Sequence, residues 1–136
     1  MKLSICIPTY NRQSRVLKQT KFILDELKYL NYPDNVELLI RDNASQDGTL
    51  NSLGSINQNN YFRVLENQEN IGLIGNLSAL IDDSVGEYIW FIGDDDHLYK
   101  GILRHVLNNL TGEGLLFLNH RAVNENGDIL LECAFN

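Results

Sequence analysis

The chain has 136 residues and a mass of 15.5 kDa, which is enough for one domain with a hydrophobic core. Its hydrophobic fraction of 43% and charged fraction of 21% exclude a disordered or fibrous protein. The formal net charge of −7 disfavours nucleic acid as a partner, because an acidic surface repels a phosphate backbone.

Cysteine usage and the amino terminus predict the compartment. Cys6 and Cys133 each lie in an apolar run without metal-ligand spacing, which indicates buried thiols in a reducing environment. Pro8 interrupts the first apolar run too early for a signal peptide, and no run is as long as a membrane span. The sequence therefore predicts a cytoplasmic protein with no membrane span in this chain.

Strand-like and helix-like segments alternate along the chain. Strands are predicted at 3–8, 36–42, 61–67, 87–93 and 114–120, and helices at 12–30, 50–56, around 77–81 and at 99–110. The nearly continuous apolar run at 87–93 predicts a central strand covered on both faces. Residues 121–133 predict a hairpin that turns at Asn126 and Gly127. The alternation indicates one α/β domain over residues 1–136, with a mostly parallel sheet flanked by helices and a C-terminal hairpin.

Unusual polar clusters follow the ends of the predicted parallel strands. They lie at Thr9 to Asn11, at Asp42 and Asn43, at Asn70, and at Asp94 to Asp96. In parallel sheets, ligands bind at the edge formed by the carboxyl ends of the strands. The sequence therefore predicts that these four clusters share one binding site, with the first and fourth strands adjacent.

The stretch IWFIGDDDHLY places three adjacent aspartates after a strand. Three neighbouring carboxylates repel one another, so each needs solvent, a partner or a cation. Asp96 is a candidate cap for the next helix, and all three offer the hard oxygen ligands that Mg²⁺ and Mn²⁺ prefer. A calcium EF-hand is excluded, because its glycine position would be Tyr99. Adjacent aspartates also cannot flank a sugar ring as a glycosidase carboxylate pair does.

Other motifs are ambiguous when each is considered alone. There is no P-loop, no G-x-G-x-x-G follows the first strand, and NIGLIGN could simply begin a helix. The segment DNASQDGT is typical of a turn in which Ser45 or Asp47 caps the next helix. That interpretation leaves Asp42, at the end of its strand, free to accept hydrogen bonds from a ligand.

Taken in order, PTYNR, IRDNASQDGT, NIGLIGN and WFIGDDDHL resemble the nucleotide-sugar domain of inverting family 2 glycosyltransferases. The resemblance spans Leu3 to about Leu98 and implies the GT-A fold, a Rossmann-like α/β architecture. It implies that the first loop and the aspartate after the second strand hold the nucleotide base and ribose. Those residues are Pro8, Thr9, Tyr10, Asn11 and Asp42.

The resemblance also implies that the acidic loop holds a divalent metal, Mn²⁺ or Mg²⁺, and the donor diphosphate. Asp95 is then the direct metal ligand, Asp94 contacts the ribose or the metal, and Asp96 is the third candidate metal ligand. The sequence departs from the common D-A-D-D form by having Gly93 first.

A second departure follows the third strand, where many members of the family carry an arginine near the phosphates. NIGLIGNL has none, so the metal is expected to be the main counter-charge. Asn70, Gly72 and Asn76 are weaker candidates for contact with the donor.

The implied activity is transfer of sugar, with inversion, from a UDP- or dTDP-type donor to a hydroxyl of a saccharide or lipid-linked acceptor. In the family the general base is a carboxylate in the following half of the catalytic domain, so it is expected beyond residue 136. The chain is thus expected to be a truncated catalytic domain without its acceptor half, inactive in transfer alone. A non-catalytic Mg²⁺-dependent nucleotide-binding α/β module is the alternative. A sugar-nucleotide pyrophosphorylase is less favoured, because PTYNR replaces its glycine- and arginine-rich first loop.

Overall fold

A computed structural model describes residues 2–56, 59–112, 114, 116, 118, 120–124 and 126–131. Strands and helices alternate over most of this length. In chain order they are β1 Leu3–Thr9, α1 Gln13–Tyr29, β2 Val36–Asp42, α2 Thr49–Gly54, β3 Phe62–Glu66, α3 Gly72–Asp83, β4 Tyr88–Phe91, α4 Ile102–Asn109, β5 Ala122–Val123 and β6 Ile129–Leu131.

The first four strands form one parallel sheet in the order β3-β2-β1-β4. β1 and β2 lie at its centre, where helices cover both faces and residues 3–7 and 36–40 are buried. β5 and β6 form a separate antiparallel hairpin whose turn includes Gly127 at φ +86°. The predicted α/β architecture, the neighbouring positions of β1 and β4, and the C-terminal hairpin are confirmed.

β4 is not central in the described sheet, which differs from the prediction. Within that sheet it pairs only with β1, and Phe91 is 40% exposed. Its apolar run is explained as predicted by packing on both faces, because Tyr88 and Trp90 pack on the main core while Ile89 packs on the opposite face. The predicted fifth strand at 114–120 includes residues 115, 117 and 119, which lie outside the described residues, so it remains a prediction.

The two faces of the sheet carry cores of unequal size. Alternate strand residues such as Ile5 and Ile7 pack against α1, α2 and α4 in the larger core. On the other face, Cys6, Leu39 and Leu80 of α3 form a small cluster. Truncating a fully buried leucine of this kind to alanine typically costs about 2–5 kcal/mol. The larger core therefore fixes α1 firmly against the strands whose ends carry the polar clusters.

The start of α4 corrects the prediction that Asp96 caps this helix. α4 begins at Ile102, and its first N–H groups are bound instead by Glu26 of α1. Both carboxylate oxygens of Glu26 accept from the N–H of Gly101, at 2.9 and 3.0 Å, and one also accepts from Leu103 N–H at 3.4 Å. A buried carboxylate at a helix N-terminus satisfies donors that would otherwise lack partners. α1 thus holds the segment that links β4 to α4.

Cys6 is a buried thiol, as predicted, and Cys133 lies outside the described residues. Burial raises the pKa of Cys6 to about 11, so it stays protonated at neutral pH and is unreactive. No helix in the described part of the chain is both long and apolar enough to cross a bilayer. The cytoplasmic location remains a prediction.

Candidate functional site

Loops after the four parallel strands meet at the carboxyl edge of the sheet. The backbone N–H of Asn43, after β2, donates to Thr9 O at the end of β1 across 2.9 Å. The N–H of Asn67, after β3, donates to Asp42 O at 2.9 Å. Thr9 Oγ1 in turn donates to Asp94 Oδ2, after β4, at 3.0 Å. The predicted clusters therefore lie together, because parallel strands end at one edge.

The first loop is joined to the loop after β2 through Asn11. Asn11 has φ +51°, a left-handed conformation that asparagine tolerates better than most residues. Its N–H donates to Ser45 Oγ at 2.7 Å, and its Oδ1 accepts from Gln46 N–H at 2.8 Å. Pro8 is partly buried in β1, whereas the ring of Tyr10 is 41% exposed at the same edge. Tyr10 can therefore offer an aromatic face to a ligand.

The sequence had suggested that Asp42 is free to bind a ligand, but the residue is fully buried. Its Oδ2 accepts from Ser45 N–H at 3.0 Å, and its Oδ1 accepts a short hydrogen bond from the Ser45 hydroxyl. Each carboxylate oxygen has a second lone pair, but Asp42 has no exposed surface, so a ligand could reach its carboxylate only if the loop after β2 moved. Asp42 thus has a structural role in its loop, whatever else it binds.

Asp47 caps α2, one of the two alternatives predicted for this loop. Its Oδ1 accepts from the N–H of Thr49 at 3.0 Å and also from the Thr49 hydroxyl. Its Oδ2 accepts from the N–H of Gln13 at the start of α1, at 3.1 Å. The bond from the Thr49 side chain is the largest of the hydrogen bonds that lower the pKa of Asp47, against a smaller opposing effect of burial. One carboxylate therefore fixes the beginnings of two helices beside the site.

Four asparagines form a hydrogen-bonded network behind the loop after β3. Asn43 Nδ2 donates to Asn70 Oδ1 at 2.8 Å, and Asn67 Nδ2 donates to Asn43 Oδ1 and Asn76 Oδ1, both at 2.9 Å. Asn76 Nδ2 donates to Arg41 O at 3.1 Å, and Asn76 is only 2% exposed. Both ends of this amide are in use, so Asn76 packs the loop, and its contact with the donor remains a prediction. Sequence reasoning missed Asn67 in this network.

Asn70 and Gly72 lie at the exposed start of α3. Asn70 Oδ1 accepts from the N–H of Gly72 at 2.9 Å, and Gly72 has φ +74°. The left-handed backbone explains the glycine, because a side chain there would be strained. Both residues are exposed at the edge of the sheet, where a ligand can reach them.

The three adjacent aspartates turn to three different partners. Asp94 accepts from Thr9, and burial raises the pKa of Asp94 by more than this hydrogen bond lowers it. Asp95 pairs with two arginines of the first loop and α1, and Asp96 Oδ2 accepts from Gly93 N–H at 2.7 Å. These partners offset part of the repulsion between adjacent carboxylates, although the charge of Asp95 still raises the pKa of Asp94. Asp96 therefore closes its own turn, and its place among the metal ligands remains a prediction.

Arg12 and Arg15 are the site residues that sequence reasoning missed. Arg15 Nη1 lies 2.8 Å from Asp95 Oδ2, and Arg12 Nη1 lies 3.5 Å from the same oxygen. The available signal was their spacing of three residues, which places two cations on one side of the start of α1. The expectation that the metal is the main counter-charge is therefore incomplete, because two guanidinium groups already lie at the acidic loop.

The carboxylates of the acidic loop are the candidate ligands for a divalent metal. Among the described residues, no three His, Cys, Asp or Glu side chains are grouped to hold an ion. Mg²⁺ is nevertheless commonly held by one or two carboxylates with substrate phosphates completing its shell. Asp94 and Asp95 are neighbouring carboxylates at the ligand edge, so they fit that smaller donor set.

Sequence relatives of known name match most of this chain. Abequosyltransferase RfbV of Salmonella typhimurium is 33% identical over 130 residues, covering 89% of this chain and 36% of the relative. The GalNAc(5)-diNAcBac-PP-undecaprenol beta-1,3-glucosyltransferase of Campylobacter jejuni is 31% identical, covering 75% of this chain and 32% of the relative. The chain thus spans about a third of the length of these curated relatives.

Solved structures share the fold. The mannosyltransferase PcManGT from Pyrobaculum calidifontis, in complex with GDP-Man and Mn²⁺, superposes with a TM-score of 0.69 at 21% identity, over 81% of this chain and 32% of that one. TarS 1-349 of S. aureus with UDP-GlcNAc gives 0.66 at 20% identity, over 93% and 42%. The model of the family Glycosyl transferase family 2 matches residues 4–129. This chain therefore belongs to Glycosyl transferase family 2, a family of glycosyltransferase enzymes, and has the GT-A fold.

Proposed function

We propose that this chain binds a nucleoside-diphosphate sugar with a divalent metal, for inverting transfer of the sugar to an acceptor hydroxyl. The observation that carries the proposal is the 3.0 Å hydrogen bond from Thr9 to Asp94. It joins the loop expected to hold the nucleoside to the loop expected to hold the diphosphate. Family membership and the named relatives support the same activity.

The nucleoside end of the site is formed by the first two loops. The exposed Tyr10 can stack on a base, and the remaining lone pairs of Asp42 can accept from a ring N–H once the loop after β2 opens. Uracil and thymine carry such an N–H, as does guanine, whereas adenine and cytosine have none. The ring N–H therefore selects against ADP and CDP, and UDP and dTDP are the nucleotides that we propose. The wall between Tyr10 and Asp42 is formed by Pro8, Thr9 and Asn11. Asn11 holds this wall in place, because its hydrogen bonds join the first loop to the second.

The diphosphate end of the site is the acidic loop. Asp95 and Asp94 would hold Mn²⁺ or Mg²⁺, and the complex of a neighbouring structure with GDP-Man and Mn²⁺ supports a divalent cation. When bound, such a cation stabilises the negative charge that develops on the leaving diphosphate. Asn70 and Gly72 are secondary candidates for contact with the donor, because they are exposed at the same edge.

Inversion follows if the acceptor oxygen attacks the anomeric carbon on the face opposite the diphosphate in a single displacement. The acceptor hydroxyl then loses its proton to a general base, a contribution of about 10²–10⁴-fold. The prediction that this base lies beyond residue 136 remains a prediction. A saccharide or lipid-linked acceptor is the proposed partner, and the name of the Campylobacter jejuni relative, which contains PP-undecaprenol, supports the lipid-linked form.

Titration calorimetry of UDP, dTDP and GDP, each with Mn²⁺ or with EDTA, tests the proposal. UDP or dTDP should bind more tightly than GDP, and Mn²⁺ should strengthen that binding. Equal affinity in Mn²⁺ and EDTA would refute the metal-dependent part. Failure of every nucleotide to bind would refute the assignment of the donor site.

A further inference from the structure

The ion pair between Arg15 and Asp95 occupies the carboxylate that the proposed metal needs. Arg15 Nη1 lies 2.8 Å from Asp95 Oδ2, and Arg12 Nη1 is 3.5 Å from the same atom. The side chains of Arg15 and Asp95 are 49% and 54% exposed, so the pair lies at the open edge where a ligand arrives. An exposed pair is weak and easily exchanged.

α1 is a rigid support for this pair. Arg15, Gln19 and Glu26 lie within about 40° of one another around the helix axis, so they share one face of α1. At the far end of that face, Glu26 binds the N–H groups of Gly101 and Leu103. The segment from the acidic loop to α4 is therefore attached to α1 at both ends.

Gln19 lies on α1 between these two attachments, and one of its buried polar atoms lacks a hydrogen-bond partner. It is 6% exposed, and its Nε2 has no hydrogen-bond partner within the part of the chain that the structure describes. A buried amide without an acceptor raises the free energy of the state that contains it.

The chemistry of the two partners defines what such a shift would do. A guanidinium group and a divalent cation compete for the same carboxylate oxygen, and they repel each other at contact distance. A guanidinium group also binds phosphate oxygens well, because its planar N–H fork matches their geometry. If a metal bound Asp95, Arg15 would lose its carboxylate partner. Arg15 could then bind the phosphates of the nucleotide instead.

We propose that Arg15 is a diphosphate-binding residue that is held on Asp95 until the metal and nucleotide arrive. Asp95 would then hold the metal, and Arg15 would bind a phosphate oxygen of the donor. The inference rests on the proposed function and deepens it, because it assigns the contact that the arginine-free loop after β3 lacks. Arg15 would thus suppress binding of metal alone and favour binding of metal with diphosphate.

The test compares Arg15→Gln with Lys21→Gln by titration calorimetry. Lys21 is exposed on another side of α1, so the control removes the same charge away from the site. The probes are MnCl₂ alone, and then UDP, dTDP or GDP, whichever wild type binds best, at saturating Mn²⁺. Arg15→Gln should bind Mn²⁺ alone roughly two- to fivefold more tightly, because an exposed competing ion pair is lost. It should bind the nucleoside diphosphate about tenfold more weakly, because a charge-assisted bond is lost.

Tighter binding of Mn²⁺ together with weaker binding of the nucleoside diphosphate would support the proposal. Arg15→Lys should recover part of the diphosphate affinity. Unchanged affinities for Mn²⁺ and the nucleoside diphosphate would overturn the proposal. A decrease in both affinities would also overturn it, because Arg15 would then only position the loop. Thermal unfolding of each variant checks that the fold is retained. If wild type itself binds no nucleoside diphosphate, the proposed function fails. If wild type binds and Arg15→Gln matches it, only the role of Arg15 fails.

Discussion

The hydroxyl of Thr9, the last residue of β1, donates to Asp94 in the loop after β4, 85 positions along the chain. This bond lowers the pKa of Asp94, against a larger effect of burial that raises it. Two loops with separate predicted roles are thereby held in one geometry.

Thr9→Val should raise the pKa of Asp94 further, because the side chain keeps its shape but loses its donor. NMR titration of the carboxyl signal measures this change directly. Nucleoside diphosphate affinity should fall several-fold, as expected from a lost hydrogen bond of about 0.5–1.5 kcal/mol. Thr9→Ser keeps the hydroxyl and serves as the control; an identical Asp94 pKa in both variants would contradict the finding.

Asp42 and Ser45 allow the structural and binding roles of the second loop to be separated. Asp42→Ala should weaken UDP or dTDP binding, because it removes the proposed acceptor for the base. Ser45→Ala removes the bond that the Ser45 hydroxyl donates to Asp42 and the one that it accepts from Asn11 N–H, but it keeps the carboxylate, so it should weaken binding less. Calorimetry with matched unfolding curves distinguishes them. Equal losses in the two variants would mean that Asp42 acts only by holding its loop.

Glu26→Ala should destabilise the domain by about 1–3 kcal/mol, because buried N–H groups at the start of α4 lose their acceptor. Hydrogen exchange should speed up at Gly101 and Leu103, whose N–H groups bind Glu26. Asp96→Ala is the comparison, since the sequence had made that residue the cap. It should leave α4 exchange unchanged and affect the turn at Gly93 instead. Faster α4 exchange in Asp96→Ala alone would restore the original prediction.

Glu37 should contribute to the pH dependence of stability. Burial raises its pKa, but hydrogen bonds from Ser4, Val85 and Arg63 together outweigh that effect, so the net pKa lies below the ordinary value. The folded state then holds the proton less tightly than the unfolded state. The stability from Glu37 is full above the ordinary carboxyl pKa and is lost as pH falls through the folded pKa.

Glu37→Gln should therefore flatten the acid limb of the curve of unfolding free energy against pH. Urea unfolding between about pH 3 and 7 measures this limb, a range set by ordinary carboxyl pKa values. Glu69→Gln is the matched control, because Glu69 is exposed. An acid limb of the same slope in wild type and Glu37→Gln would refute the assignment.

The sequence by itself determined the architecture and the location of the site. Apolar strands alternating with helices can be buried on both faces only in a parallel α/β sheet, and parallel strands end at one edge. Polar residues after those strands, such as Thr9 and Asp94, therefore had to lie together. Local chemistry also determined the turn at Gly127 and the cap at Asp47, since the residues involved are close in the chain.

Only the tertiary structure decided which side chains satisfy one another. Asp95 pairs with Arg15 across 80 positions, and Glu26 binds the start of α4 across 75. No local pattern specifies such pairs, because they depend on how α1 packs across the ends of the strands. The number of strands beside β4 in the described sheet was also undetermined, since an apolar run has the same composition whether the strand has one neighbour or two. The partners of the three aspartates follow from the packing of α1 and the backbone path of the loop, and neither is encoded in the run of aspartates itself.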